Sequence, residues 1–333
     1  MVGWHMSRAI RADLAGVAVG EGLPVVIVGV VNVSPESFHR GSVYQGDEAI
    51  VRAALGMVEA GAALIDVGGR STAPYLATAI SESEEADRLG HAIELLAAKL
   101  PVPISADTPR PGPARVALEA GARVINDVST LRDLALARLV ASHSAGLILM
   151  ASPSAPGERG RAMGVRRPRG SRRRSVRGDH TAGRARGRRS ETGRRTPMAP
   201  PRSPSPVATI RMILAAGLRR AAAAGIPRRR VVVDPGVGFF RDVGMPWQEW
   251  DARVIAGLGA LRRLGRPIAV GVSRKSFIGA ILGQPETQER LAGSLAATSM
   301  AVANGATVVR THDVAETRDA VRVAERLVGR GRA

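Results

Sequence analysis

Short apolar runs rich in β-branched residues recur along this chain and alternate with stretches whose apolar positions have helical spacing. Pro24–Val33 (PVVIVGVVNV) is too short to span a membrane and reads as a strand buried on both faces. Similar runs follow at Ala63–Val67, Pro103–Asp107, Arg123–Val128, Gly146–Met150, Arg230–Asp234, Ile268–Val272 and Thr307–Arg310. Helical spacing fills the intervals: Asp47–Ala60 with Asp47 as a possible N-cap, Ser81–Leu100 with SESEE supplying cap and first-turn acids, Pro111–Ala120 and Leu131–His143. The later helices are expected at Val207–Gly225, Trp247–Leu264, Glu289–Asn304 and Val314–Val328. Eight strand-then-helix units imply a parallel sheet, and that count implies closure into an α/β (β/α)8 barrel, the TIM barrel. A doubly wound open sheet is the alternative, but NVSPESFHRG after the first strand is not the G-x-G-x-x-G loop such a sheet uses for phosphate.

Periodicity stops once. Between Arg159 and Arg202 there is no Leu, Ile, Phe, Trp or Tyr, and 16 arginines face only two acids, Asp179 and Glu191. That segment cannot bury enough apolar surface to offset its ordering entropy, so disorder is expected for 159–202, between strand five and helix five. It also carries +14 of the net charge of +19, so the remainder is only mildly basic. The expected organisation is one barrel domain over 1–333, with 1–23 as an N-terminal lead. The N-terminus lacks the charged-then-apolar plan of a secretory signal, no run approaches a membrane span, and there are no cysteines to form disulfides or thiolate metal sites. A cytoplasmic enzyme is the expectation.

In a barrel the active site lies at the C-terminal ends of the strands, and those ends are polar here: Asn32, Asp66, Asp107, Asn126, Asp127, Asp234, Lys275, Arg310 and His312. A lone Asp at a strand–helix junction is as often a turn or cap residue as a ligand group. Asp107, Asn126 and Asp234 together would face one another across the mouth, which calls for a ligand with several N–H donors to offset desolvation and repulsion. Lys275 is one of only two lysines. It sits at the tip of an apolar run, in SRKS, as a buried strand would deliver a cation to a pocket. Arg310 and His312 share a face of the last strand and add cations where barrels commonly bind phosphate; the bland alternative is pairing with Asp313 or Glu316.

The motifs GVVNVSPESF, LIDVGGRST, ISADTPRP, RVINDVS, VVDPGVGF, VGVSRKSFIG, ERLAGSLA and VRTHDVAET, in that order, resemble the strand-end motifs of the dihydropteroate synthase family of pterin-binding barrels. The resemblance covers most of the chain outside the lead and the insert. It implies a transferase of folate biosynthesis that condenses a dihydropterin hydroxymethyl pyrophosphate with p-aminobenzoate and releases pyrophosphate. By similarity Asp107, Asn126, Asp234 and Lys275 hold the pterin, with Asp66 and Thr72 also binding substrate. Asn32 contacts Mg2+, Arg310 and His312 meet the pyrophosphate, and Phe239 and Ser276 line the p-aminobenzoate site. Asp107, Lys275, Arg310 and His312 are the catalytic candidates, and a homodimer is implied.

The chain departs from the family pattern in three loops. Where the family usually reads GGESTR, Arg70 and Ala73 stand here; Glu36 replaces an Asp, and Met150 is followed by Ala151 where Met-His is usual. The change at Ala73 bears on p-aminobenzoate and pyrophosphate more than on pterin. Two readings of 159–202 stay open: a real basic loop, or sequence read out of frame. Two other functions compete, a pterin-binding methyltransferase or inactive synthase paralogue, and a nucleic-acid-binding protein acting through the Arg-rich segment. Neither nucleic acid nor membrane is the expected partner.

Overall fold

The computed structural model describes residues 9–34, 46–70, 80–153, 205–241 and 243–329. Its centre is an eight-stranded parallel sheet: β3 (Val26–Asn32), β4 (Leu64–Gly68), β5 (Ile104–Asp107), β6 (Val124–Asp127), β7 (Gly146–Met150), β8 (Val231–Asp234), β9 (Ala269–Gly271) and β10 (Val308–Thr311). Strands pair in chain order from β3 to β8, and β10 lies between β3 and β9. A single parallel bridge, Val233 to Ile268, closes β8 onto β9 and makes the sheet a barrel. Helices α1 (Asp47–Glu59), α2 (Glu82–Ala97), α3 (Pro111–Glu119), α4 (Leu134–Ser142), α5 (Pro206–Ala223), α6 (Trp247–Ala256), α7 (Ser276–Leu282), α8 (Leu291–Ala303) and α9 (Val314–Leu327) lie between and after the strands.

Strand alternation sorts the side chains into two cores. Ile65, Val67, Ile125, Leu147, Leu149, Val233 and Val309 face outward and pack with the helices in the larger cluster. Val28, Leu64, Val124, Ile148, Val232, Ala269 and Val308 face inward and form a separate cluster in the barrel interior. Residues two positions further along share their face, so Leu64 is followed inward by Asp66, Val124 by Asn126, Val232 by Asp234 and Val308 by Arg310. An apolar floor thus lies one layer beneath these four tips, while on β5 the buried Ser105 lies beneath Asp107.

The floor is completed by an element absent from the sequence reading. Residues 1–23 were expected as a lead, but they contain a hairpin, β1 (Arg11–Leu14) and β2 (Val17–Gly20), paired antiparallel with Leu14 opposite Val17. Its two-residue turn, Ala15 and Gly16, takes positive φ at both positions, which suits the right-handed twist of a hairpin. Ala12, Leu14 and Val19 enter the inner cluster, and Leu14 is fully buried. The hairpin closes the N-terminal end of the barrel.

Two helices differ from expectation. Trp247–Leu264 divides at Gly257 into α6 and a 3-10 segment, Leu258–Leu264. The seven-residue α7 rises directly from Lys275 and is additional to the eight helices that the spacing predicts. Asp47 is the first residue of α1 rather than its cap, Gly46 preceding it, and its carboxylate meets His91 at 2.7 Å. Ser81 does cap α2, accepting from the Glu84 N–H at 3.0 Å. Among the described residues no helix is long and apolar enough to cross a membrane.

Candidate active site

At the C-terminal mouth, Asp66, Asn126 and Asp234 are almost completely buried on the inner face of their strands. The Arg310 guanidinium, from β10, donates through Nη2 to Oδ2 of Asp66 and, at 3.1 Å, to Oδ2 of Asp107. Asn126 donates to the same Asp66 oxygen at 3.2 Å. Two strands that carry acceptors are thereby tied to the last strand by one cation, and Asn126 joins β6 to them through Asp66. Among the described residues Asp66 Oδ1, Asp107 Oδ1 and Arg310 Nε are buried and have no hydrogen-bond partner. Buried polar atoms of that kind are rare in folded proteins and point to a ligand that completes them.

Charge follows from burial. Desolvation, with lesser pushes from Asp66 and Glu85 against the pull of Arg310, raises Asp107 to about 7. Burial likewise raises Asp234, although Lys275 and the Gly236 N–H oppose it. Lys275 is lowered to about 8 by burial, with Asp234 the strongest opposing influence. Burial works against the charge on Arg310 too, but Asp66, Asp107 and Asp234 outweigh it and push that group higher still.

The SRKS tip divides its two cations between different tasks. Arg274, at positive φ, makes a bidentate pair with Asp313 at 2.9 and 2.7 Å and donates to the carbonyls of Thr287 and Gln288. Its own N–H is held by Ser294 at 2.8 Å. Asp313 is therefore the partner of Arg274, while Arg310 pairs with Asp66 and Asp107. Lys275, released by that anchoring, turns inward; its Nζ donates to the Val237 carbonyl and lies 5.0 Å from the centroid of the Phe239 ring. The DPGVG turn after β8 makes room for it. Gly236 has φ +70 and a Cβ there would lie 2.2 Å from the Ala151 carbonyl oxygen, so only glycine fits. At Gly238, φ +86, a Cβ would crowd the Lys275 side chain.

Two residues missed in the sequence hold this mouth in shape. Asp251, on α6, is fully buried, accepts from the Gly238 N–H at 2.9 Å and is raised to about 6, chiefly by burial. Glu85, on α2, is fully buried and accepts from Thr108 Oγ1 at 2.6 Å, Arg110 Nη1 at 2.9 Å and Arg70 Nε at 3.3 Å. It joins the segments that follow β4 and β5. The helical spacing held a signal: Glu85, Leu89, Ile93 and Leu96 fall on one stripe, and an acid on an apolar stripe needs a buried partner. Arg70, the departure noted in the second loop, is thereby turned toward α2.

The other expected site residues fall as follows. Asn32 ends β3, its Oδ1 3.1 Å from where a Cβ on Gly68 would stand, so glycine at 68 keeps space open around that oxygen. His312 follows β10 half-buried, with its backbone N–H on Ser273 Oγ at 3.3 Å. Ser276 Oγ accepts from Arg241 Nη2 at 2.6 Å, and the Arg241 guanidinium lies 3.9 Å above Trp247. Asp127, grouped with the tips in the sequence, faces away from the lumen: Ser129 and Leu131 N–H groups and the Ser129 hydroxyl donate to it, so it ties a turn. Thr72, Glu36, Ala73 and 159–202 lie outside the described residues.

Comparison with known proteins agrees with this arrangement. The family described as pterin binding enzyme matches residues 28–312. The chain is 33% identical to the dihydropteroate synthase of Synechocystis sp., covering 90% of this chain and 89% of that protein, and 30% identical to that of Escherichia coli, covering 90% of both. Among solved structures, the Xanthomonas albilineans dihydropteroate synthase with 4-aminobenzoic acid superposes with a TM-score of 0.73 at 33% identity, covering 96% of this chain and 98% of that one. The same enzyme in complex with 7,8-dihydropteroate superposes at 0.70 and 30%, covering 95% and 98%. A barrel with this mouth and relatives matched over nearly their whole length leave one conclusion: the chain belongs to the pterin-binding enzymes, as a member of the dihydropteroate synthase family.

Proposed function

We propose that this chain condenses a 6-hydroxymethyl-7,8-dihydropterin pyrophosphate with p-aminobenzoate, giving 7,8-dihydropteroate and pyrophosphate. The observation that carries the reading is the pair of buried, unpartnered carboxylate oxygens on Asp66 and Asp107, set in a mouth that also holds Asn126, Asp234 and Lys275. The N–H groups of an aminopyrimidine edge would complete those acceptors, and Lys275 would donate to the ring carbonyl once it leaves Val237. Folded against Phe239, the same ammonium separates the pterin from the space beside Ser276. Arg241, fixed by Ser276 and Trp247, offers a cation to the carboxylate of p-aminobenzoate.

The reaction breaks the bond between the pterin methylene and a pyrophosphate oxygen, and that oxygen keeps the electron pair. The arylamine lone pair forms the new C–N bond, and the amine then loses a proton. No strong base is needed for an arylamine. The protein's part is to hold both reactants in line and to meet charge where it develops. Asp107, bonded to the pterin, stabilises through the ring the positive charge that develops as the methylene becomes electron-poor. Arg310 Nε and His312 meet the leaving pyrophosphate.

Magnesium fits this mouth only in one way. Among the described residues no group of three or more acids or histidines could hold a metal by itself. Asn32 Oδ1, beside Gly68, is one hard oxygen of the kind Mg2+ takes, and Mg2+ is commonly held by one or two protein oxygens, waters and substrate phosphates. Asn32 would hold it, and bound Mg2+ would supply charge neutralisation for the pyrophosphate. A cytoplasmic homodimer accompanies this reading; Ile281 and Leu282 of α7 and Met300 of α8, each at least half exposed, form its proposed contact face, which sedimentation of the full-length protein tests.

Calorimetry with the dihydropterin pyrophosphate, with and without Mg2+, followed by turnover of p-aminobenzoate, tests the proposal. Binding that requires Asp107 and leads to dihydropteroate supports it. Pterin binding without p-aminobenzoate turnover would favour the methyltransferase or inactive-paralogue reading, and binding unaltered by Lys275→Ala would remove the site assignment.

A further inference from the structure

The opposite end of the barrel holds a cation that the synthase reaction does not use. Arg266 precedes β9, is 8% exposed, and lines a half-open cavity of about 230 Å3 with Ile10, Glu21, Arg262 and Thr307. Its residues precede β9 and β10, so the cavity lies at the N-terminal end, a full strand length from the mouth. Nη1 of Arg266 donates to the Gly265 carbonyl at 2.8 Å, and among the described residues nothing accepts from its buried Nε.

Among the described residues that line this cavity, no acid is left over to balance this guanidinium. Glu21, the one carboxylate lining the cavity, is committed on both oxygens, to Arg262 and, at 3.1 Å, to the Ile10 N–H. The nearest further charge is another cation. Arg228 Nη2 lies 2.9 Å from where a Cβ on Gly265 would stand. Burial, and secondly the Arg228 charge, lower Arg266 to about 10, the direction expected of a cation with cations for neighbours. A buried charge without a partner is costly, and an anion placed against it would offset that cost. The Nε–Nη2 edge of a guanidinium matches two oxygens of a phosphate, and the cavity is wide enough for one.

We infer that the closed end of the barrel is a second anion site, in which Arg266, with Arg228 beside it, binds a small oxyanion of the phosphate class. Inorganic phosphate is the probe. In full-length protein at matched ionic strength, phosphate at roughly ten times its Kd is expected to raise Tm by about 2–4 °C over chloride. Arg266→Gln should abolish that shift, Arg228→Gln should weaken phosphate several-fold, and His312→Gln, at the pyrophosphate side of the mouth, should leave the shift intact. Absence of a shift in the unaltered protein overturns the inference. So does a shift that survives Arg266→Gln or disappears in His312→Gln, since either assigns phosphate elsewhere. Should Arg266→Gln not fold, phosphorus-31 line broadening in Arg228→Gln decides, and broadening equal to that of the unaltered protein counts against the site.

Discussion

The two ends of this barrel are built from the same strands and have opposite characters. At the base, Leu14 and Val19 of the hairpin join Val28, Leu64, Val124 and Val308 in one apolar cluster. At the mouth, two residues beyond Leu64, Val124, Val232 and Val308, stand Asp66, Asn126, Asp234 and Arg310, and among the described residues the buried Asp66 Oδ1 and Arg310 Nε have no partner. The difference teaches that stability and chemistry are separated along the strand axis. The floor supplies apolar burial, and that surplus allows the layer above it to keep desolvated charges that do not stabilise the fold.

That separation is open to direct attack. The largest effect is expected from Lys275→Ala, which should lower kcat/KM by about 10^3-fold, ~4 kcal/mol of barrier, while leaving Tm unchanged or higher because a desolvated cation is gone. Steady-state kinetics and a melt on the same sample check both halves. Next comes Leu14→Ala at the floor, expected to destabilise by about 3 kcal/mol in urea unfolding with kcat/KM at 25 °C preserved. A parallel loss of activity in the folded variant would break the division between the two ends.

Glu85→Gln lies between these extremes, since it touches the mouth only through Arg70, Arg110 and Thr108. It should cost about 2 kcal/mol of stability and raise KM more than it lowers kcat, because the second and third loops lose a charged anchor. A pure fall in kcat would argue against a positioning role. The smallest effect concerns Asp107. Its pKa in the folded state is raised to about 7, so the folded protein holds that proton more tightly than the unfolded chain does. The stability due to that proton is present at low pH and is lost as pH rises through about 7. Pterin needs the ionised carboxylate, so affinity for a pterin lacking the pyrophosphate should fall roughly tenfold per pH unit below 7. Calorimetry across pH 5–8 checks this, and a flat profile would remove Asp107 from the pterin edge.

How much of this was legible depends on where a residue comes from. The eight strands were readable because runs such as VVIVGVV and GLILM are apolar on both faces and end abruptly in polar residues. The tip residues were readable for the same reason, and alternation separates Asn126, which faces the lumen, from Asp127, which ties a turn. What sequence did not reveal comes from helices and from short elements. Glu85 looked like a first-turn acid and Asp251 like one polar residue among several in WQEWDAR, and only packing shows that both are buried. The hairpin escaped because RADLAGVAVG alternates with alanines and glycines, a weak signal for strands of four residues. The partition of Arg274 and Lys275 was also hidden, since nothing local says which cation is claimed by Asp313.

The closure between β8 and β9 has a consequence for motion. Every other pair of neighbours in the sheet shares a ladder of several residues, whereas this seam rests on the one bridge between Val233 and Ile268. The strands on either side of it lead to Asp234 and to Lys275. The least-stitched line of the barrel therefore runs between two of the groups proposed to grip the pterin, and a small breathing motion there would widen the cleft without unpairing any other strand. Amide hydrogen exchange at Val233 and Ala269, faster than at Val124 or Val309, would register it.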